Sequence, residues 1–257
     1  MPSTLSHPAA ILPLAGGPLV PSALAVGTMA PDVPYFLGLS GLRGVTHEPL
    51  GVVTVDLGLG LAVSAAFHLV WKRPLLALAP DPVARRLAPD PVARRLAPVA
   101  GPLPRRALPW VPVSLLAGIV THVLWDAFTH RRHSFAGALP WLVTVSFGGL
   151  AVLAWWLWRW FRATPPAGPV PDGLSGRAAL AMLGLLAGGG LAGAALGAFL
   201  QPTNAGDPRT LHTTVAGAVV GAVSGPLVAL TLYALLYSAL ARRVTSGRRG
   251  SGRASGP

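Results

Sequence analysis

Within the apolar run Thr121-His-Val-Leu-Trp-Asp-Ala-Phe-Thr-His130, His122, Asp126 and His130 recur at every fourth position. Steps of four put all three on one face of a helix. Each ionisable group in such a segment costs roughly 2.5–3.5 kcal/mol or more inside a bilayer. A stack of three therefore calls for partners or a metal ion. The rise of a helix spreads the three over about 12 Å. His122 and Asp126, about 6 Å apart along the axis, can share one ion. His130 is left for a second ion or for the rim.

Three further residues qualify as partners. His7 precedes an apolar stretch, Asp32 follows Ala30-Pro31 at its end, and His47 sits in Thr46-His-Glu-Pro49. If residues 8–30 form a hairpin, His7 emerges beside Asp32, and His7, Asp32, His47, His122 and Asp126 gather at one face. A single kinked span would instead put His7 on the opposite side. The hairpin is the preferred reading, because Pro8 and Pro21 suit the first turns of two short helices. Histidine with carboxylate and no thiolate favours zinc, with manganese or iron as alternatives. Such an ion lowers the pKa of bound water towards neutrality. Glu48 is the nearest general base, and Asp126 the other carboxylate suited to catalysis. Taken singly, each residue has a plainer role: an interfacial His closes a helix end, and Asp32 caps a turn.

Asp56 and His68 fall in one helix about 18 Å apart, too far to share an ion. Asp56 reads either as an outer partner of His47 or as a buried, hydrogen-bonded carboxylate, the latter preferred; His68 reads as structural, and His133 and His212 as solvated.

The elements that position these groups are membrane-like. The 257 residues are 52% hydrophobic and only 11% charged, with a mean hydropathy of +0.58. A soluble domain carries about 25% charged residues. Five segments reach the roughly 20 apolar residues that a crossing needs, at 50–71, 111–128, 141–160, 178–200 and 215–239. The fold class expected is an all-α polytopic transmembrane bundle of five spans plus the N-terminal hairpin or kinked helix. The net charge of +12 lies in arginine clusters between these runs. That pattern sets topology and meets anionic lipid, and it argues against nucleic acid. The basic loop 72–110 and the tail are then cytoplasmic, in a multi-pass protein of the cell membrane. Cysteine is absent, which excludes disulfides and thiolate metal sites.

The loop 72–110 contains a nine-residue tandem repeat, Leu78–Arg86 and Leu87–Arg95. Its prolines predict a semi-rigid, extended segment. A linker at 161–177, a C-terminal helix pair at 178–240 and a disordered basic tail at 241–257 complete the organisation. Small residues across 184–197 point to close helix packing.

Four motifs together resemble a bacterial membrane family, domain of unknown function 4184. They are Leu-Ser-His-Pro-Ala-Ala at 5–10, Met-Ala-Pro-Asp at 29–32, Thr-His at 46–47 and His-Val-Leu-Trp-Asp-Ala-Phe-Thr-His at 122–130. The likeness covers residues 1–160. More distantly, the pattern is similar to inner-membrane proteins described as metal-dependent hydrolases. That resemblance implies a site of His7, Asp32, His47, His122 and Asp126. Val33-Pro-Tyr stands where those proteins have a further Asp and His, so this motif carries fewer donors than a multi-metal centre uses. The function expected is a metal-dependent hydrolase acting at the membrane interface on a lipid-borne or phosphate-containing substrate. The alternative is a non-enzymatic scaffold or transporter-like protein whose buried His and Asp residues hold helices together.

Overall fold

The computed structural model describes residues 4–15, 17–87, 103–130, 135–166, 176–201 and 209–251. Every element is helical, and no strand occurs among the described residues. Among the described residues, four helices are long and apolar enough to cross a membrane: Pro49–Leu78, Trp110–Ala127, Gly176–Phe199 and Thr213–Ala239. The fifth expected span, 141–160, lies within the helix Phe135–Ala163. The side chains of 141–143, 145 and 146 fall outside the described residues.

The chain divides into two compact units, one of Met1–His68 with Asp81–Val170, the other of Leu69–Pro80 with Pro171–Pro257. The centre of the first unit is the helix Trp110–His130. Val111 and Leu115 on it pack against Val20 and Ala23, forming a buried apolar cluster. Ser114 stitches this contact at its polar end. Its hydroxyl accepts the Val20 N–H at 2.8 Å and donates to the Trp110 carbonyl at 2.6 Å. Val20 is the N-cap of the helix Pro21–Gly27 and has no side-chain cap of its own. Ser114 thus satisfies a donor that the helix start leaves open.

Residues 8–30 form two short pieces, a 3-10 helix Thr4–Leu14 and the α-helix Pro21–Gly27. Pro8 and Pro13 lie inside the first piece, where missing N–H groups disfavour a regular α-helix. Gly17, at φ +142°, lies between the two pieces, in a conformation that favours glycine. His7 and the segment after Gly27 both meet the same end of Trp110–His130, as a hairpin requires.

The Pro49–Leu78 helix is not uniform. It widens to π-helix at Val52–Asp56 and again at Phe67–Trp71. Pro74 follows the second widening, which gives its ring room against the carbonyl four residues earlier. The helix ends at Leu78, and the first copy of the tandem repeat then forms another helix, Asp81–Leu87. The extended segment expected there is therefore replaced by helix. Pro82 falls in the first turn, Asp81 sits at the positive end, and Arg85 and Arg86 sit at the negative end. Arg86 donates to the Phe161 carbonyl at 2.9 Å and stacks 4.0 Å over that ring. The second copy lies mostly outside the described residues.

The second unit is built on the helices Gly176–Phe199 and Arg209–Ser251. Gly189, Gly193 and Gly197 face Gly225, Gly221 and Gly217 in one antiparallel register. A Cβ at Gly193 or Gly221 would overlap the partner's carbonyl, so the backbones touch. In the same unit Trp71 donates to Thr231 Oγ1 at 3.1 Å. The second helix continues to Ser251, so residues 241–251 are helical, not disordered. Extending a formed helix is cheap, and arginine is a good helix former.

Candidate metal centre

Five side chains converge where the hairpin, the 30–47 segment and the helix Trp110–His130 meet. Their positions follow from close backbone packing. Gly27 and Gly118 lie against each other so tightly that a Cβ on Gly118 would fall 2.9 Å from the Gly27 Cα and the Thr28 N. That approach lays the Thr28 carbonyl beside His122, one turn beyond Gly118. On the other side, Gly149 lets Ser6 approach, since its Cβ would stand 2.8 Å from the Ser6 Cβ. His7 follows Ser6 and is delivered to the same place. Gly51 accommodates the Val45 carbonyl in the turn that presents His47.

The carboxylate of Asp126 lies between two imidazoles. Its Oδ1 is 3.6 Å from His7 Nε2, and its Oδ2 is 3.3 Å from His47 Nε2. His122 Nε2 stands 3.9 Å from Asp126 Oδ2 and 3.9 Å from Asp32 Oδ1. The rings of His7 and His122 stack at 4.3 Å, and His47 meets His122 edge-on at 5.6 Å. Two triads have all their donor atoms within 4.8 Å of one another: His7, His122 and Asp126, and Asp32, His47 and His122. His7, Asp32 and His122 are buried. His47 and Asp126 are the most open, at 19% and 13% exposed, so access lies on their side.

Hydrogen bonding decides the tautomer of His122. Its Nδ1 is 2.8 Å from the Thr28 carbonyl, which can only accept, so Nδ1 carries the proton. The neutral ring then aims a bare Nε2 lone pair between two carboxylates. That atom is buried and makes no hydrogen bond. An imidazolium would close on a carboxylate to about 2.7–2.9 Å, well inside the 3.9 Å found. The His7–Asp126 and His47–Asp126 separations of 3.6 and 3.3 Å suit a cation instead, because bonds of about 2.0–2.2 Å in a tetrahedral shell separate ligand atoms by roughly 3.3–3.6 Å. Nitrogen and oxygen donors without thiolate fit zinc, manganese or iron. His47 is braced in the same manner, with Nδ1 3.0 Å from Thr46 Oγ1. Outer hydrogen bonds of this type orient metal-binding imidazoles.

Of the expected site residues, the structure brings together His7, Asp32, His47, His122 and Asp126. The side chain of His130 lies outside the described residues. Glu48 is exposed at the N-cap of Pro49–Gly51, and its side chain makes no cap hydrogen bond. His68 sits away from the cluster, with Nε2 3.0 Å from Ser22 Oγ. Asp56 differs from expectation. It is fully buried, yet neither carboxylate oxygen has a hydrogen-bond partner. It lies close enough to His47 and Asp32 to act on both electrostatically. Its sequence signal, a carboxylate in an apolar span, is visible; its lack of a partner is a tertiary fact. The Thr28 carbonyl, a backbone acceptor, has no signal at all.

No curated protein and no solved structure matches the chain. A family model described as a domain of unknown function matches residues 1–235. The match runs past residue 160, where the motif resemblance ends, and takes in the helix Gly176–Phe199 and most of its partner. With that share of its length matched and its His and Asp motifs assembled in one cluster, the chain belongs to the domain of unknown function 4184 family.

Proposed function

We propose that this protein is a membrane-embedded, metal-dependent hydrolase working at the non-cytoplasmic interface on a lipid-borne or phosphate-containing substrate. The observation that carries the reading is the bare Nε2 of His122, locked by the Thr28 carbonyl and aimed between Asp32 and Asp126. His7, Asp32, His47, His122 and Asp126 would supply the donors for divalent metal, zinc by preference. Such a cation supplies Lewis-acid chemistry, polarising a phosphoryl or carbonyl oxygen and making water acidic.

The remaining roles fall to the chain itself. Asp126 keeps the His7 and His47 rings in place with its two oxygens. Glu48 follows the most open ligand, His47, and is exposed, so it is the better placed of the two carboxylates to accept a proton from incoming water. The apolar helices around the cluster present its open side to lipid-borne substrate. The basic loop and tail face the cytoplasm in this reading, with five spans in all.

The test is metal analysis of detergent-purified protein beside a His122→Ala/Asp126→Ala double variant. Phosphoester hydrolysis is then assayed on phospholipid and soluble substrates, with Glu48→Gln as a third protein. Wild type should retain metal and turn over one substrate class, and the double variant should do neither. Equally poor metal content in both proteins would leave the scaffold reading, in which these residues only hold helices together.

A further inference from the structure

The five donors are too spread to serve one ion. His7 belongs to one triad, Asp32 and His47 to the other, and the two triads share only His122. His122 has a single nitrogen to give, because Nδ1 is occupied by Thr28. Asp126 is divided differently. Its Oδ1 faces His7, while its Oδ2 faces His47 at 3.3 Å and His122 at 3.9 Å, so the two oxygens address different imidazoles. A carboxylate arranged in this way is the bridging ligand of a two-metal site, where the ions stand about 3.5–4 Å apart.

The charge balance points in the same direction. Asp32, Asp56 and Asp126 bring three carboxylates into an apolar helix bundle. With all three ionised, one divalent cation leaves a net negative charge there, which burial penalises heavily. Two divalent cations leave one positive charge, the sign that an anionic phosphate substrate needs. Asp56 lies on the side of Asp32 and His47, where its carboxylate, once a cation has drawn off its proton, adds negative charge to the second position.

We infer that the centre is dinuclear: His7, His122 and Asp126 hold one cation, Asp32 and His47 hold the other, Asp126 reaches towards the second through the oxygen that faces His47, and Asp56 counterbalances it. This rests on the metal reading above, specifies its nuclearity and reverses the expectation drawn from the missing Asp and His, because a carboxylate that reaches both positions lets five donors serve two ions. The probe is Mn²⁺ alone, loaded onto the full chain in detergent and counted by elemental analysis after desalting, with Zn²⁺ counted in parallel. Electron paramagnetic resonance reads whether the Mn²⁺ ions are coupled.

Wild type should hold two ions per chain with an exchange-coupled spectrum. His7→Gln and His47→Gln, each checked for a monodisperse elution profile, should each hold one ion with an isolated six-line spectrum. Asp56→Asn should weaken one of the two ions about tenfold or more and leave the other. One ion per wild-type chain, or two without coupling, overturns the dinuclear centre and leaves the metal reading intact. No ion of either kind in wild type overturns both.

Discussion

His122 and Thr28 are joined by a 2.8 Å contact from the imidazole Nδ1 to a backbone carbonyl, between two helices that cross at Gly27 and Gly118. The crossing sets the contact, and the contact selects the tautomer. A residue that never touches the cluster therefore controls what His122 offers it.

That dependence is testable at Gly118. Gly118→Val should push the helix Pro21–Gly27 away, break the Thr28 contact and weaken metal binding about 10–100-fold. The fold should lose about 1–3 kcal/mol from overpacking. Competition with a chelating dye reads the first effect and thermal melting in detergent the second. Unchanged metal affinity beside a lowered melting point would disconnect the crossing from the site.

Acid should empty the site. Cation binding needs His7, His47 and His122 with free lone pairs, and protons compete for them. Affinity should therefore fall steadily as the medium is acidified. Binding should also release protons, which isothermal titration in buffers of different ionisation enthalpy will count. A pH-independent affinity would mean that the carboxylates alone hold the ion.

Asp56 is a liability when no cation is present. Neither of its buried oxygens is hydrogen-bonded, so Asp56→Leu should stabilise the metal-free protein by about 1–3 kcal/mol. The same variant should gain less stability than wild type when metal is added, because binding to the folded state is the source of that gain. Melting curves with and without a chelator give both numbers. A lower melting point for Asp56→Leu in chelator would show that the carboxylate supports the fold on its own.

The absence of cysteine makes orientation directly measurable. In cells, Ser40→Cys should react with an impermeant maleimide from outside, and Ser251→Cys only after lysis. Reaction of Ser251→Cys from outside, with Ser40→Cys reacting only after lysis, would invert the positive-inside assignment, and reaction of both from outside would require an even number of spans between them.

How much of this was legible beforehand varies with the physics behind each feature. The helical period exposed His122 and Asp126 as one face, and loop-edge positions exposed Asp32 and His47, because those signals are local. The hairpin was favoured through Pro8 and Pro21 for the same reason. Asp56 is legible only as an ionisable group, since a carboxylate in an apolar span looks the same with or without a hydrogen-bond partner. The π-helical turns at Val52–Asp56 and Phe67–Trp71 leave no clear residue pattern, because they answer to packing and to Pro74 downstream. The tandem repeat misled through its prolines, which in the first copy begin a helix.

The glycine register of the second unit constrains how its helix pair can move. Teeth spaced four residues apart mesh only at whole-turn offsets of about 6 Å. Any smaller displacement carries the glycines off the carbonyls they face and closes the space that their missing Cβ atoms leave. Motion between these two helices should thus be a ratchet with discrete stops, holding one setting or jumping to the next, with no continuous glide between.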